Sequence, residues 1–559
     1  VFYKILPLNL LVIAGVLSGP SFSHGGGKTW EIKKTQWSAS DEKAYEDFIF
    51  NLGEAIESRR CRTVESCMAS SANIYYKTDP DVAYHSDCAD WPYFLRAYFS
   101  WKNELPFSYV SEVGPRNSPD GNPPETKDIR YSNYGNLVVG RRDVLMPRDP
   151  ANGGINAIAI VNSRILDETS SANFRVNYRG MDEDRNFSDF YPVKLNRQGI
   201  RPGTMIYDPN GHVAVVYKIT NDGQIFYMDA HPKSEGGGYP LSYGIFGVKF
   251  SRSRPGMGAG FKKWRPLQLV NAVQDNQGNL RGGRIVGAKD STLSDYGTEQ
   301  FYGNVPDKEG SWSKGVFKFE GSAVSYYEFI RRQLAIGGLK LDPVHEIKMI
   351  VADLCSSVDD RAFAVESTLK NGTQHKPHPL RLPMNIFGTE GEWENEATPS
   401  RDARIKTSFK NLLDQSKALV QRFTNKDPSL IYSGSNLRQD MLDAYLAEAK
   451  NCVISYTNSA GNKVTLNLEQ IRKRIFDISF DPYHCPELRW GAKGEELATC
   501  RDGENKRQWY AAEKWLRNQI DRTYDARMDY SLGELTGPKP GVGVAVPPDV
   551  DVVRFLQGE

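Results

Sequence analysis

The chain has 559 residues, more than one compact domain of roughly 100–200 residues holds, so it divides into at least two folded units with large cores. Apolar residues at 39%, charged residues at 25%, 49 Gly and 31 Pro describe an ordinary globular protein and exclude a collagen-like or disordered chain. Seventy Lys and Arg against 69 Asp and Glu leave a net charge of +1, which excludes nucleic-acid or acidic-membrane binding through bulk charge. Any partner is therefore met at a defined site.

The one long apolar run, residues 5–19, follows Lys4 and leads into Ser21-Phe22-Ser23, the layout of a secretory signal peptide over residues 1–23. Pro7 and Asn9 interrupt it, and it falls short of the ~20 residues a spanning helix needs. The mature chain is expected to be secreted or periplasmic, with no stable membrane insertion. Export permits disulfides, and the seven cysteines leave one thiol over. Cys61/Cys67 and Cys485/Cys500 are near enough in sequence to close small loops; with Cys355/Cys452 as the remaining pair, Cys88 is free.

Residues 30–68 read as helical, with Tyr45, Phe48, Ile49, Leu52 and Ile56 on a 3.6 period. Pro92 lacks the donor that a helix interior needs, so the next helix starts no earlier than about Ala89 and runs through Phe94, Tyr98 and Trp101, with Cys88 at its N-terminal edge. Residues 107–200 read as a loop-rich insertion. Strands follow at 204–207, 212–219 and 225–230, the last two joined by the hairpin signal Asp222-Gly223, and again at 261–269. Residues 276–319 read as a linker or irregular lobe. From 320 to 559 the apolar period is that of helices, near 323–336, 343–358, 400–423, 436–452, 466–478 and 505–530.

Cysteine catalysis needs a thiolate, a base and a group that orients the base. A cysteine at a helix N-terminus feels the positive end of the helix dipole, which favours its thiolate; Cys88 occupies that place. His212 opens a strand after Pro209-Asn210-Gly211, where a base has access to substrate. If Asp222 and Gly223 alone form the loop, residue 233 stands opposite His212, and Asp229 and His231 share its face. His231 is nearer in that ideal register, whereas Asp229 is the better partner for an imidazolium and moves closer with a bulge or a longer loop. Both stay open, with Asp229 favoured.

These residues resemble the NlpC-type papain-like cysteine peptidases and the related cysteine/histidine-dependent amidohydrolases that trim bacterial cell walls. The resemblance covers roughly residues 70–270. It rests on Asp87-Cys88 opening an aromatic-rich helix, Leu105-Pro106 after it, Arg201-Pro202-Gly203-Thr204-Met205-Ile206-Tyr207 leading into Gly211-His212-Val213, and Tyr227-Met228-Asp229-Ala230-His231. The chain departs from the family in Ala89-Asp90 where a Ser-Gly pair is usual, in Pro92, in lacking a Trp-Gly-Gly stretch, and in the 123 residues between Cys88 and His212. The resemblance implies an α+β fold: a papain-like catalytic domain (24–275) with a long insertion, followed by a mainly α-helical C-terminal domain (320–559). It also implies catalytic Cys88, His212 and Asp229 or His231, Tyr76 as an oxyanion candidate, and a peptide or amide substrate, with peptidoglycan expected. No nucleic-acid partner, cofactor or metal is expected. His375-x-x-His378 reads as a solvated loop and His484-Cys485 as a disulfide-tied turn, for want of further ligands. The alternative is a secreted binding or scaffold protein on a catalytically degenerate papain-like core.

Overall fold

The computed structural model describes residues 28–559 except 80–83, 119, 124–127, 177–185, 234–237, 253–256, 259, 306–314, 388–392, 394–398 and 524–525. The leader expected over 1–23 lies outside the described residues. Helix α1 (Ala39–Glu57) starts in a capping box between Ser38 and Asp41 and buries Tyr45, Phe48, Ile49 and Leu52, as its period requires. Helix α2 (Asp90–Lys102) is buried along its whole length. Both pack on a six-stranded antiparallel sheet made of β3 (Phe190–Pro192), β4 (Met205–Asp208), β5 (His212–Ile219), β6 (Ile225–Ala230), β7 (Leu241–Ile245) and β8 (Gly260–Trp264), in the spatial order β3-β8-β4-β5-β6-β7.

Alternation along the strands gives the sheet two buried faces. Val213, Val215, Met228 and Ala230 meet α1 and α2. Ala214, Val216, Ile225 and Tyr227 meet Phe317 and helix α3 (Tyr326–Leu334), whose Phe329, Ile330 and Leu334 are buried against them. The insertion is more ordered than its sequence implies. Strands β1 (Phe107–Pro115) and β2 (Asn136–Val144) form an antiparallel ribbon, and register shifts around Glu112 break the alternation that would have announced it. The stretch read as a linker also differs: β9 (Leu267–Val270) pairs with β10 (Arg284–Gly287), and Leu269 and Ile285 join the first core.

Beyond α3, α4 (Pro343–Lys370), α5 (Pro399–Thr424), α6 (Leu437–Asn451) and a hairpin of β11 (Val453–Thr457) and β12 (Lys463–Asn467) share a second core. This half does not stand apart from the sheet. Lys249 and Asp353 pair at 2.6 Å, Arg331 and Asp222 at 2.6 Å, and the buried Arg522 and Asp208 at 2.8 Å. The division at residue 320 is thus displaced: α3 covers the outer face of the sheet, because that face is apolar and must be buried. Disulfides join Cys61 to Cys67, Cys355 to Cys452 and Cys485 to Cys500, and Cys88 is a free thiol. No helix among the described residues is long and apolar enough to cross a membrane.

Candidate functional site

Cys88 lies two residues ahead of α2, in a turn held by Asp87, whose Oδ1 accepts from the amides of Ala89 (2.9 Å) and Asp90 (3.2 Å). Its Sγ is 3.9 Å from the carbonyl oxygen of Gly211, and the amide of Val213 also points to it, so the sulfur rests against the backbone on both sides of His212. Gly211 has φ of 88° in the tight β4–β5 turn, a conformation that favours glycine and lets the chain reverse directly before the histidine.

The β5–β6 hairpin then sets the partner of His212. Its loop spans Thr220–Gln224 rather than two residues, and a register shift falls between Val216 and Lys218. The pairs Val215–Met228 and Val216–Tyr227 carry this register toward the site and place residue 231, not 233, opposite His212, with Asp229 one diagonal step away. His212 Nε2 lies 2.7 Å from Asp229 Oδ2. His231 instead reaches Asp229 through Ser242, the residue paired with Asp229 on β7.

The direction of this chain follows from its one obligatory donor. Arg401 Nη2, from the first turn of α5, lies 3.2 Å from His231 Nδ1, and a guanidinium only donates, so Nδ1 accepts. His231 Nε2 then carries the hydrogen and donates to Ser242 Oγ at 2.9 Å, and the Ser242 hydroxyl donates to Asp229 Oδ1. Asp229 Oδ2 is left to accept from His212 Nε2, and His212 Nδ1 keeps a lone pair.

Burial opposes ionisation of Asp229, but His231 beside it and the hydrogen bonds from His212 and Ser242 hold it well below the usual carboxylate range. Burial and the Arg404 guanidinium lower His212, which keeps it a neutral acceptor, and burial with Arg401 drives His231 down to about 3. Cys88 differs from the expectation at a helix start. Burial raises its thiol, Asp87, Asp229 and Asp90 add to the rise, and the Val213 amide opposes it only in part. Cys88 therefore rests as a thiol directed at the Gly211 carbonyl, and His212, on the wall of the same cavity, as a neutral imidazole whose Nδ1 holds a lone pair.

Cys88, His212 and His231 line one cavity of about 290 Å³ with Asp87, Arg130, Ser171, Trp393, Arg401 and Arg404. His231 and Arg401 also face a larger cavity of about 520 Å³ walled by Arg59, Asp359 and Asp360. Tyr76 is not among the residues lining the cysteine cavity: it sits half-buried in the turn Tyr76–Thr78. That turn directs Tyr75 inward instead, where its hydroxyl accepts from Asn103 Nδ2 at 2.8 Å. Sequence reasoning missed Arg401, Arg404 and Ser242. Ser242 was open to discovery from strand pairing with Asp229, but no local pattern connects α5 to a strand 170 residues away. Comparison with protein-family models, curated proteins and solved structures finds no match to this chain.

Proposed function

We propose that the protein is a cysteine-dependent hydrolase of peptide or amide bonds, with a papain-like arrangement of Cys88, His212 and Asp229. The observation that carries this reading is the 2.7 Å contact of His212 Nε2 with Asp229, on a histidine whose flanking backbone holds the Cys88 sulfur. His212 Nδ1 takes the thiol proton as Sγ attacks the carbonyl carbon, and returns it to the departing amine. Water, deprotonated by the same nitrogen, then cleaves the thioester and frees Cys88. Asp229 fixes the tautomer and steadies the imidazolium, and the Cys88 amide is the oxyanion donor. Three disulfides are compatible with the exported location expected from the leader, and the substrate proposed by resemblance is the peptide of peptidoglycan.

The test incubates the purified protein with sacculi and identifies released fragments by mass spectrometry, beside Cys88→Ala and His212→Ala. New amino termini or freed amide products that disappear in both variants support the reading. A folded protein that releases nothing, and whose Cys88 is inert to iodoacetamide across the alkaline range, returns the molecule to the scaffold alternative, which the raised thiol pKa favours.

A further inference from the structure

Two side chains on the wall of the cysteine cavity carry charges that the hydrolytic steps do not use. Arg401 and Arg404 stand three residues apart on α5, hence on one face of that helix, and both line the cavity of about 290 Å³ with Cys88 and His212. They lie within electrostatic reach of the nucleophile and the base: Arg404 lowers His212, and Arg401 and Cys88 act on one another. A guanidinium has five N–H donors and no acceptor. Arg401 gives one to His231 Nδ1 at 3.2 Å and Arg404 one to Ser400 Oγ at 3.2 Å. Their other N–H groups meet no acceptor among the described residues and are open to the cavity.

The carboxylates nearby are committed elsewhere. Asp402 takes Arg361 at 2.6 Å and Asp208 takes Arg522 at 2.8 Å, while Asp87 caps α2. Arg130, the third cation on the wall, is paired with Asp128 at 2.9 Å. Asp229 acts on both arginines, but it holds His212 and Ser242 and carries one charge against two. Asp360 shares a small recess with Arg401 and Arg404 yet forms no ion pair with either, and burial with Asp229 pushes it up to about 8, so it is mostly protonated near neutral pH. Burial works against both guanidinium charges, and Arg522 adds repulsion at Arg404. Arginine stays charged regardless, so two such groups beside an open recess favour an anion, and a planar carboxylate fits their paired donors.

We infer that Arg401 and Arg404 form an anion subsite and that the substrate carries a carboxylate next to the bond that Cys88 attacks. The substrate clause rests on the hydrolase reading; the subsite does not. A free chain end and an acidic side chain present the same chemistry to the two guanidiniums. The inference gives the C-terminal half a part in recognition, since α5 and Trp393 supply wall to a cavity whose cysteine and histidine come from the first half. That wall is formed in advance. The buried Arg361–Asp402 pair fixes α5 between the two arginines. His378, expected from sequence in a solvated loop, is instead buried: it stacks on Trp509 (4.1 Å between centroids) and packs on Tyr483 (5.4 Å), which packs on Trp393 (6.1 Å).

The experiment compares alkylation of Cys88 by iodoacetate and by iodoacetamide, reagents of nearly equal size that differ by a carboxylate, in the folded full chain and in the chain unfolded in urea with its disulfides intact. The ratio of the two rates cancels the thiolate fraction, so neither the thiol pKa nor a change at His212 moves it. The folded ratio should exceed the unfolded one at least about tenfold, fall as salt is raised, and drop severalfold in Arg404→Gln. A folded ratio at or below the unfolded one overturns the inference, as does an unchanged ratio in folded Arg404→Gln or a Cys88 that neither reagent reaches. If the variant fails to fold, the parent's ratio and its salt dependence decide. A second arm separates the two sources of carboxylate with soluble peptides of one sequence, carrying Glu or Gln at one position and a free or amidated carboxyl end. Cleavage that follows the free end assigns the chain terminus, cleavage that follows Glu assigns the side chain, and cleavage indifferent to both overturns the inference. If iodoacetate is preferred but neither these peptides nor sacculi are cut, the subsite stands and the hydrolase reading falls.

Discussion

Replacing Asp87 by Asn isolates the electrostatics of the nucleophile. Oδ1 of Asp87 accepts two amides at the start of α2, and an amide oxygen can accept them equally, so the cap survives. What disappears is one negative charge on the residue beside Cys88, after burial the largest cause of its raised pKa. At about 6 Å and an effective dielectric constant near 20, a unit charge changes the free energy of a thiolate by about 3 kcal/mol. Cys88 and Asp87 are only half-buried, and halving that figure for solvent leaves about 1.5 kcal/mol, roughly a tenfold rise in the thiolate fraction near neutral pH. The assay is the rate of iodoacetamide addition at Cys88, followed by intact mass from slightly acidic to strongly alkaline pH. Asp87→Asn should raise the rate about tenfold at neutral pH and by a similar factor into the alkaline range, because the thiolate remains the minor species throughout and only its population shifts. An unchanged or slower neutral-pH rate in a variant that unfolds at the parent's temperature would refute the claim that nearby carboxylates hold the thiol protonated.

How much of this was legible depended on how local the cause was. The strands at 212–219 and 225–230 showed themselves through alternation and Asp222-Gly223, and Pro92 alone bounded the helix behind Cys88. Face parity singled out Asp229 and His231, but the choice between them depended on a register shift at Tyr217. That residue packs so closely on α1 that a Cβ at Gly53 would stand 2.0 Å from its ring, a tertiary contact with no local signature. The resemblance to a cysteine peptidase family supplied Tyr76, which the turn at 76–78 keeps out of the cavity. His212 and Asp229 have the same parity as Ala214 and Tyr227, so they project on the sheet face that the C-terminal half covers. Arg401 and Arg404 reach the site for that reason. A helical period states that α5 has a buried side, not which strand it buries.

The remaining predictions follow the same contacts. Asp229→Asn should lower turnover roughly 10²- to 10⁴-fold, and Ser242→Ala about tenfold through loss of its hydrogen bond to Asp229, the one of its two that touches the orienting carboxylate, both read as fragment release from sacculi. Folded His231, at about 3, lies below its unfolded value of about 6.5, so between these pH values only the unfolded chain binds the proton. Stability should therefore fall as pH drops from about 6.5 toward 3, by up to about 1.4 kcal/mol per pH unit from this residue, and His231→Gln should flatten a denaturant series by that slope. Changing Cys355 and Cys452 together to Ala, which opens a loop of 97 residues, should cost about 4–5 kcal/mol by the same measurement. The two halves are expected to fold as one body, because Arg522 reaches across to Asp208, both buried, at the turn that presents His212. Arg522→Ala strands a buried carboxylate and should cost about 3–5 kcal/mol, whereas Asp208→Asn with Arg522→Met removes both charges and should recover most of that loss. A truncation ending at residue 275 should then fail to fold, since it also loses the apolar cover that α3 gives the sheet; a soluble, cooperatively unfolding fragment would show that the sheet and its inner helices suffice.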